Sequence, residues 1–279
     1  GDPRPGGRLC VHPDPGGCRM NDQIVTLEEQ AVQAVREAGA LLADPAAVRS
    51  IRAKSKTDYV TNVDVAVQEF LRERLAALAP DIQFMGEEQD NRPLDWSRPC
   101  WILDPVDGTT NLIHRFRHSA VSLALAEGGQ IRLGVVYNPY SGECFTARRG
   151  LGAFCNGSPI RVSGTDRLGD SLLSVGTVPG CRELADTAFR QMRDLYDACQ
   201  DIRRTGCASL DLCWVACGRL EGYVELSLQP WDYAAGLLLV EEAGGRVTAP
   251  DGSPLSLCQG GPLLATNGRL HTAMQSLLK

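Results

Sequence analysis

The sequence predicts an α/β (α+β) protein of two subdomains with a cleft between them. Three observations carry this. Short apolar runs broken by glycine turns crowd the first half, the pattern of hairpins. Strand-like and helix-like runs alternate in the second half. The length of 279 residues fits one large domain or two fused halves with a sizeable core. The halves divide at about 20–168 and 169–279.

The elements follow in order. Gly1–Arg19 hold four Pro and five Gly with no hydrophobic period, so they read as a disordered leader or an artificial extension, and Met20 as the natural start. They lack the apolar centre of a signal peptide. Thr26 and Glu29 form a capping-box pattern that opens a first helix. Ala31, Val32, Ala34, Val35, Ala38, Leu41 and Leu42 then recur at helical spacing, and Asp44-Pro45 ends it. Thr61 and Asp64 repeat the capping-box pattern before a second helix over 64–79, stopped by Pro80. Short strands follow at 82–85 and 101–103. Residues 120–126 and 131–137 flank Glu127-Gly128-Gly129-Gln130 as a hairpin. Strands at 143–147, 152–155 and 160–162 complete the first half. The second half reads strand 172–175, helix 183–198, strand 202–204, helix 209–217, strand 222–226, helix 233–243, strands 245–248 and 263–265, and a last helix to Leu278.

Composition excludes several function classes. Hydrophobic residues make up 43% and charged residues 22%, against global disorder. Lys+Arg is 28 against Asp+Glu 34, a net charge of −6. That disfavours a nucleic-acid footprint and a polybasic membrane anchor. No run approaches the roughly 20 apolar residues of a spanning helix, so the expectation is a soluble, cytoplasmic protein. The 11 cysteines read as reduced, buried thiols in such a compartment. Cys213 and Cys217 share a helical face at i, i+4, and a zinc site is the lesser alternative. His114 and His118 read as structural or surface residues.

The chemistry concentrates in Trp101–Asn111. An apolar strand delivers Asp104, and Pro105 holds that residue extended and starts a turn. In a continuing strand Asp104 and Asp107 face opposite ways; a tight turn brings both to one side. Gly108 permits a left-handed or closely approached backbone. Thr109 offers a hydroxyl as a helix cap or to orient water. Converging carboxylates need a shared proton, a basic side chain or a metal. Hard cations such as Mg²⁺ prefer such oxygen donors, and the Val106 carbonyl is a further candidate. Gly86-Glu87-Glu88 adds two acids after a strand. Asp232, after Pro230-Trp231, reads as the N-cap of an apolar helix.

Together Asp104-Pro105-Val106-Asp107-Gly108-Thr109, Trp231-Asp232-Tyr233-Ala234 and Gly86-Glu87-Glu88 resemble the inositol monophosphatase family, in the Mg²⁺-dependent, lithium-sensitive phosphatase superfamily. The resemblance extends from about Thr26 to Lys279. It implies a layered αβαβα sandwich, a homodimer, two or three Mg²⁺ per active site and inhibition by Li⁺. The implied substrate is a small phosphorylated polyol or sugar. By the same resemblance Glu87, Asp104, Asp107, Asp232 and the Val106 carbonyl hold metal. Thr109, backed by Asp64, activates the water, with Glu87 and Asp104 counted in the catalytic set. Gly108, Thr109, Gly206, Ala208 and Glu225 line the substrate, while Glu88 and Lys54 stand behind the metals. Ser209 and Asp211 lie near that lining. Histidinol phosphate, fructose 1,6-bisphosphate and nucleotide 3′-phosphates are alternative substrates. The other alternative is a regulator that binds transcription machinery through protein contacts, since the charge gives no support for direct nucleic-acid or membrane contact.

Overall fold

Three hydrophobic cores organise the chain, and each is the seam between two layers. The structure is a computed structural model that describes residues 15–44, 46–54, 59–91 and 94–279, with side chains from residue 27 onward. The outer seam joins helices α1 (Pro15–Ala43) and α2 (Asn62–Leu78) to one face of a seven-stranded sheet. That sheet holds β3 (Gln83–Gly86), β4 (Cys100–Asp107), β5 (Ala120–Glu127), β6 (Gln130–Asn138), β7 (Glu143–Arg148), β8 (Gly152–Cys155) and β9 (Ser158–Pro159) in that order. Only β3 and β4 are parallel within it.

The central seam packs α5 (Ala208–Ala216) and α6 (Pro230–Glu242) between this sheet and a second. The second sheet runs β11 (Asp201–Arg203), β10 (Leu172–Val175), β12 (Gly222–Leu228), β14 (Gly261–Thr266), β13 (Arg246–Thr248). Helices α4 (Ala185–Ala198) and α7 (His271–Leu277) close its far face. The expected αβαβα sandwich is therefore the observed one.

Strand alternation explains the layering. Trp101 and Leu103 enter the outer core while Cys100 and Ile102 enter the central core. Val224 and Leu264 face α4 and α7, and Tyr223 and Leu263 face α5 and α6. The β5–β6 turn closes through Gly128 (φ 59°) and Gly129 (φ 74°), left-handed positions that glycine occupies without strain.

Several expectations need correction. Residues 1–14 of the expected leader lie outside the described residues, but 15–19 belong to α1. The helix runs through Thr26, so Thr26-Glu29 does not start it. Pro15 is tolerated in the first helical turn, where its missing N–H costs nothing. The strand expected at 160–162 is absent. β9 covers only Ser158–Pro159; the Ile160 amide still donates to the Ala153 carbonyl of β8 at 2.9 Å, and the Val162 amide then turns to the Ala243 carbonyl at the end of α6. Pro105 starts no turn: β4 continues to Asp107. Elements not anticipated are the β1 (Ile51–Ala53)–β2 (Tyr59–Thr61) hairpin and α3 (Thr109–Ile113).

Candidate active site

The site forms where β3 and β4 end, beside the start of α6. Asp104 pairs with Ser122 and Asp107 with Ala120 across β5, and the register shifts between them. Ser122 and Ala120 are two apart and share a face. The bulge thus puts one extra residue on β4 and turns both carboxylates to the central layer. Proline suits this position because a bulge needs no ladder donor there. The Val106 amide donates to Asp104 Oδ1 at 3.0 Å, which fixes the carboxylate. Gly108 follows with φ 86°, and a Cβ there would lie 3.0 Å from the His118 carbonyl and 3.2 Å from that of Gly206.

From the outer layer, α2 contributes Asp64. Its Oδ2 accepts from the Thr61 amide at 2.8 Å and from the Thr61 hydroxyl, so the capping-box expectation at Thr61 holds. Its Oδ1 accepts from Thr109 Oγ1 at 3.0 Å, and the Val106 carbonyl lies at the same distance from that hydroxyl. Lys54 Nζ sits 3.0 Å from Glu87 Oε1 and also contacts Glu88. Gln68 of α2 accepts the Glu88 amide at 3.0 Å, and Asn91 holds Gly86 through its amide and its carbonyl. Gln68 and Asn91 escaped the sequence reading because nothing in their spacing marks them as loop anchors.

The second half closes the site. Asp232 is not the N-cap of α6, as expected. Gln229 is the cap, Pro230 opens the helix, and Asp232 is third, accepting the Gln229 amide at 2.6 Å. The start of α5 grips Asp107: the Ser209 amide donates to Asp107 Oδ2 at 2.6 Å, and Cys207 Sγ lies 3.2 Å from the same oxygen. Ala208 sits between these two residues. Asn111 Nδ2 donates to the carbonyls of His118 (2.8 Å) and Thr205 (2.9 Å), tying the Gly206 loop to α3. Glu225 accepts from Tyr223 and, at 3.3 Å, from the Val178 amide. Asp211, near the lining as expected, accepts from Thr205 Oγ1 at 2.7 Å. Burial pushes its acid up to about 7. Among the described residues no His, Cys, Asp or Glu group is already arranged to hold a metal, so the zinc alternative at Cys213 and Cys217 finds no support. The described cysteines are free. His118 packs against Trp214 with ring centroids 5.0 Å apart and the planes tilted by 50°.

The electrostatics show how these acids meet. Burial raises Asp104 well above the ordinary carboxylate range, and the charges of Glu87, Asp107 and Asp232 raise it further. Burial does the same to Asp232, helped by Asp107 and Glu87. Glu87 is pushed to about 7 by burial, with Lys54 pulling back. Burial also raises Asp64 and Glu225. Burial pulls Lys54 down, but Glu87 and Glu88 raise it by more. The Glu87 charge is the largest of those acting on Asp104, and two carboxylates so placed are not both ionised without a proton or cation to offset the repulsion. An all-oxygen donor set under mutual repulsion fits a hard divalent cation.

Residues 23–279 match the model of the inositol monophosphatase family. The chain belongs to the inositol monophosphatase family. Members are phosphoric monoester hydrolases, and this chain is an enzyme of that class. Among its relatives, inositol-1-monophosphatase of a Synechocystis species is 40% identical, covering 91% of this chain and 89% of that protein. Nus factor SuhB of Escherichia coli is also 40% identical, covering 88% and 92%. The crystal structure of extragenic suppressor protein suhB from Bartonella henselae superposes with a TM-score of 0.85 at 36% identity, covering 91% and 98%. Inositol monophosphatase from Anabaena superposes at 0.81 and 37% identity, covering 91% and 96%. No helix among the described residues is long and apolar enough to cross a membrane.

Proposed function

We propose that this family member hydrolyses inositol monophosphate or a related small polyol or sugar phosphate with Mg²⁺. The observation that carries this is the Thr109 hydroxyl held 3.0 Å from buried Asp64 beside the acids that meet around Asp104. Glu87, Asp104, Asp107, Asp232 and the Val106 carbonyl would hold the metal. When bound, Mg²⁺ neutralises phosphate charge and lowers the pKa of water. Li⁺, competing for the same oxygens, inhibits. Asp64 accepts the Thr109 proton, which leaves the hydroxyl oxygen free to accept from the attacking water and aim it at phosphorus. The Gly108 and Thr109 amides hold phosphate oxygens. Gly206 and Ala208 wall the substrate, and Glu225 accepts from its hydroxyls. Lys54 and Glu88 hold Glu87 in place.

A phosphate-release panel with Mg²⁺, with and without Li⁺, tests this. It contains inositol 1-phosphate, histidinol phosphate, fructose 1,6-bisphosphate and adenosine 3′,5′-bisphosphate. The wild type releases phosphate from at least one, and Asp104→Asn and Asp232→Asn nearly abolish release. Wild-type rates in either variant at saturating Mg²⁺ refute the assignment.

The identity to Nus factor SuhB favours a second role in binding transcription proteins. Pull-downs with the wild type and with Asp104→Asn would separate it from catalysis, since that role survives loss of turnover.

A further inference from the structure

Tyr223 and Glu225 are two residues apart on β12, so their side chains leave the same face of the strand. Tyr223 lies in the central core and is 1% exposed, where a phenylalanine ring would fill the same space. Its hydroxyl donates to Glu225 Oε2. Burial raises the phenol well above its ordinary range, and the charges of Glu225 and Asp211 raise it further, so it keeps its proton and acts as a donor. Glu225 Oε1 accepts from the Val178 amide at 3.3 Å. A strained backbone presents that amide: Val178 takes φ 45°, a left-handed conformation that a β-branched residue rarely adopts. Such strain persists only where the surroundings impose it, and here three contacts do. The Gly176 amide donates to the Val224 carbonyl at 2.8 Å, the Cys181 amide to the Val178 carbonyl at 3.0 Å, and Arg204 Nε to Thr177 Oγ1 at 2.9 Å. Gly176 leaves the space that the carboxylate fills, since a Cβ there would collide with Glu225 Cδ. The Arg204 charge also faces Glu225 and favours its ionised form.

We propose that Tyr223 is a positioning residue for substrate selection: its hydroxyl on one oxygen and the Val178 amide on the other hold the Glu225 carboxylate in one orientation, as a fixed acceptor for substrate hydroxyls. The inference rests on the phosphatase reading, because that reading makes Glu225 part of the substrate wall. A carboxylate oxygen accepts two hydrogen bonds. One donor on each oxygen therefore fixes the group and leaves a lone pair on each for a hydroxyl. A glutamate left to rotate would lose rotamer freedom each time it met a substrate; one already held has lost it on folding. Tyr223 thus acts on the affinity for the polyol and not on the chemistry at phosphorus, which belongs to the acids around Asp104.

The test measures kcat and KM with Mg²⁺ for inositol 1-phosphate and fructose 1,6-bisphosphate, and the inhibition constant of inorganic phosphate, in the wild type and Tyr223→Phe. Inorganic phosphate reports on the metal end of the site, since it carries no polyol for Glu225 to read. In Tyr223→Phe the KM of each substrate that the wild type cleaves should rise about tenfold, the loss typical of one hydrogen bond to a charged group. The change in kcat should stay within about threefold, and the phosphate constant should not follow KM. Gly176→Ala, which pushes the same carboxylate from the other side, should raise KM in the same way. On top of Glu225→Ala, Tyr223→Phe should raise KM no further, because it acts through the glutamate. An unchanged KM in Tyr223→Phe, a parallel rise in KM and the phosphate constant, or a further rise on top of Glu225→Ala overturns the proposal and leaves Tyr223 a core residue. No release from either substrate by the wild type overturns the polyol-phosphatase reading itself, and this inference with it.

Discussion

His271 should make this fold acid-sensitive through a single ring. It is 1% exposed and both nitrogens are engaged, Nε2 at 2.9 Å from Thr248 Oγ1 and Nδ1 at 2.9 Å from Thr266 Oγ1. The ring thereby pins the start of α7 to β13 and β14. Burial, helped by the Arg246 charge, lowers its pKa to about 4. In the unfolded chain it titrates near 6.5. Above that pH the ring is neutral in both states and contributes no pH dependence. Below it the unfolded chain takes up a proton that the folded chain refuses. Stability is therefore lost as pH falls, by about 1.4 kcal/mol per unit and roughly 3 kcal/mol in all by pH 4. The raised carboxylates of the site act oppositely, since the fold holds their protons more tightly. A variant comparison isolates the ring: urea melts of the wild type and His271→Gln at about pH 7 and about pH 5. The wild-type advantage at the higher pH should shrink by about 2 kcal/mol at the lower. A gap that stays constant would refute the argument.

Two further outcomes follow from the site. Asp64→Asn should lower kcat about a hundredfold or more while KM moves little, because an amide cannot accept the Thr109 proton as strongly; activity within about threefold of wild type would remove Asp64 from the mechanism. Protons should compete with Mg²⁺, since Glu87 is held at about 7 and Asp104 and Asp232 lie well above the usual range. The Mg²⁺ concentration for half-maximal phosphate release should therefore rise from about pH 8 to about pH 6, and a flat response would contradict the shared-carboxylate picture.

Periodicity was enough to place most of the fold. The stripe along α2 and the alternation of β5 and β6 each report a buried face, and a buried face leaves a pattern in sequence. Elements without such a face went unseen. The β1 strand is exposed throughout, and α3 is five residues long, shorter than two turns. Pro105 was legible as a break, but its use as a bulge was not, because that depends on the partner register of β5. The acids were visible in the motifs. Of the groups that aim them, Gln68, Asn111 and the amide of Ser209 act through tertiary contacts whose partners lie far along the chain, and Asn91 through a local loop contact to Gly86.

The acid cluster also explains why small residues follow Asp232 in α6. Like charges at the seam push the halves apart, so closeness must be imposed by packing. Ala234 and Ala235 are 1% exposed, and a Cβ on Gly134 of β6 would come within 2.8 Å of the Ala235 carbonyl. On the other side of α6, a Cβ on Gly236 would strike Leu212 of α5 at 2.5 Å. The helix is thus clamped between sheet and helix with no room for a methyl group on either side. Asp232 is carried on its first turn, and Asp107 is held by the first turn of its neighbour α5. The distance between the carboxylates is consequently set by close packing, backbone on backbone at Gly134 and Ala235 and the Leu212 side chain on the Gly236 backbone, which repulsion of a few kcal/mol cannot relax without opening a well-packed core. A fold that holds acids together in this way has the preorganised charge that a cation must meet, and the run Ala234-Ala235-Gly236 after Asp232 is part of that device.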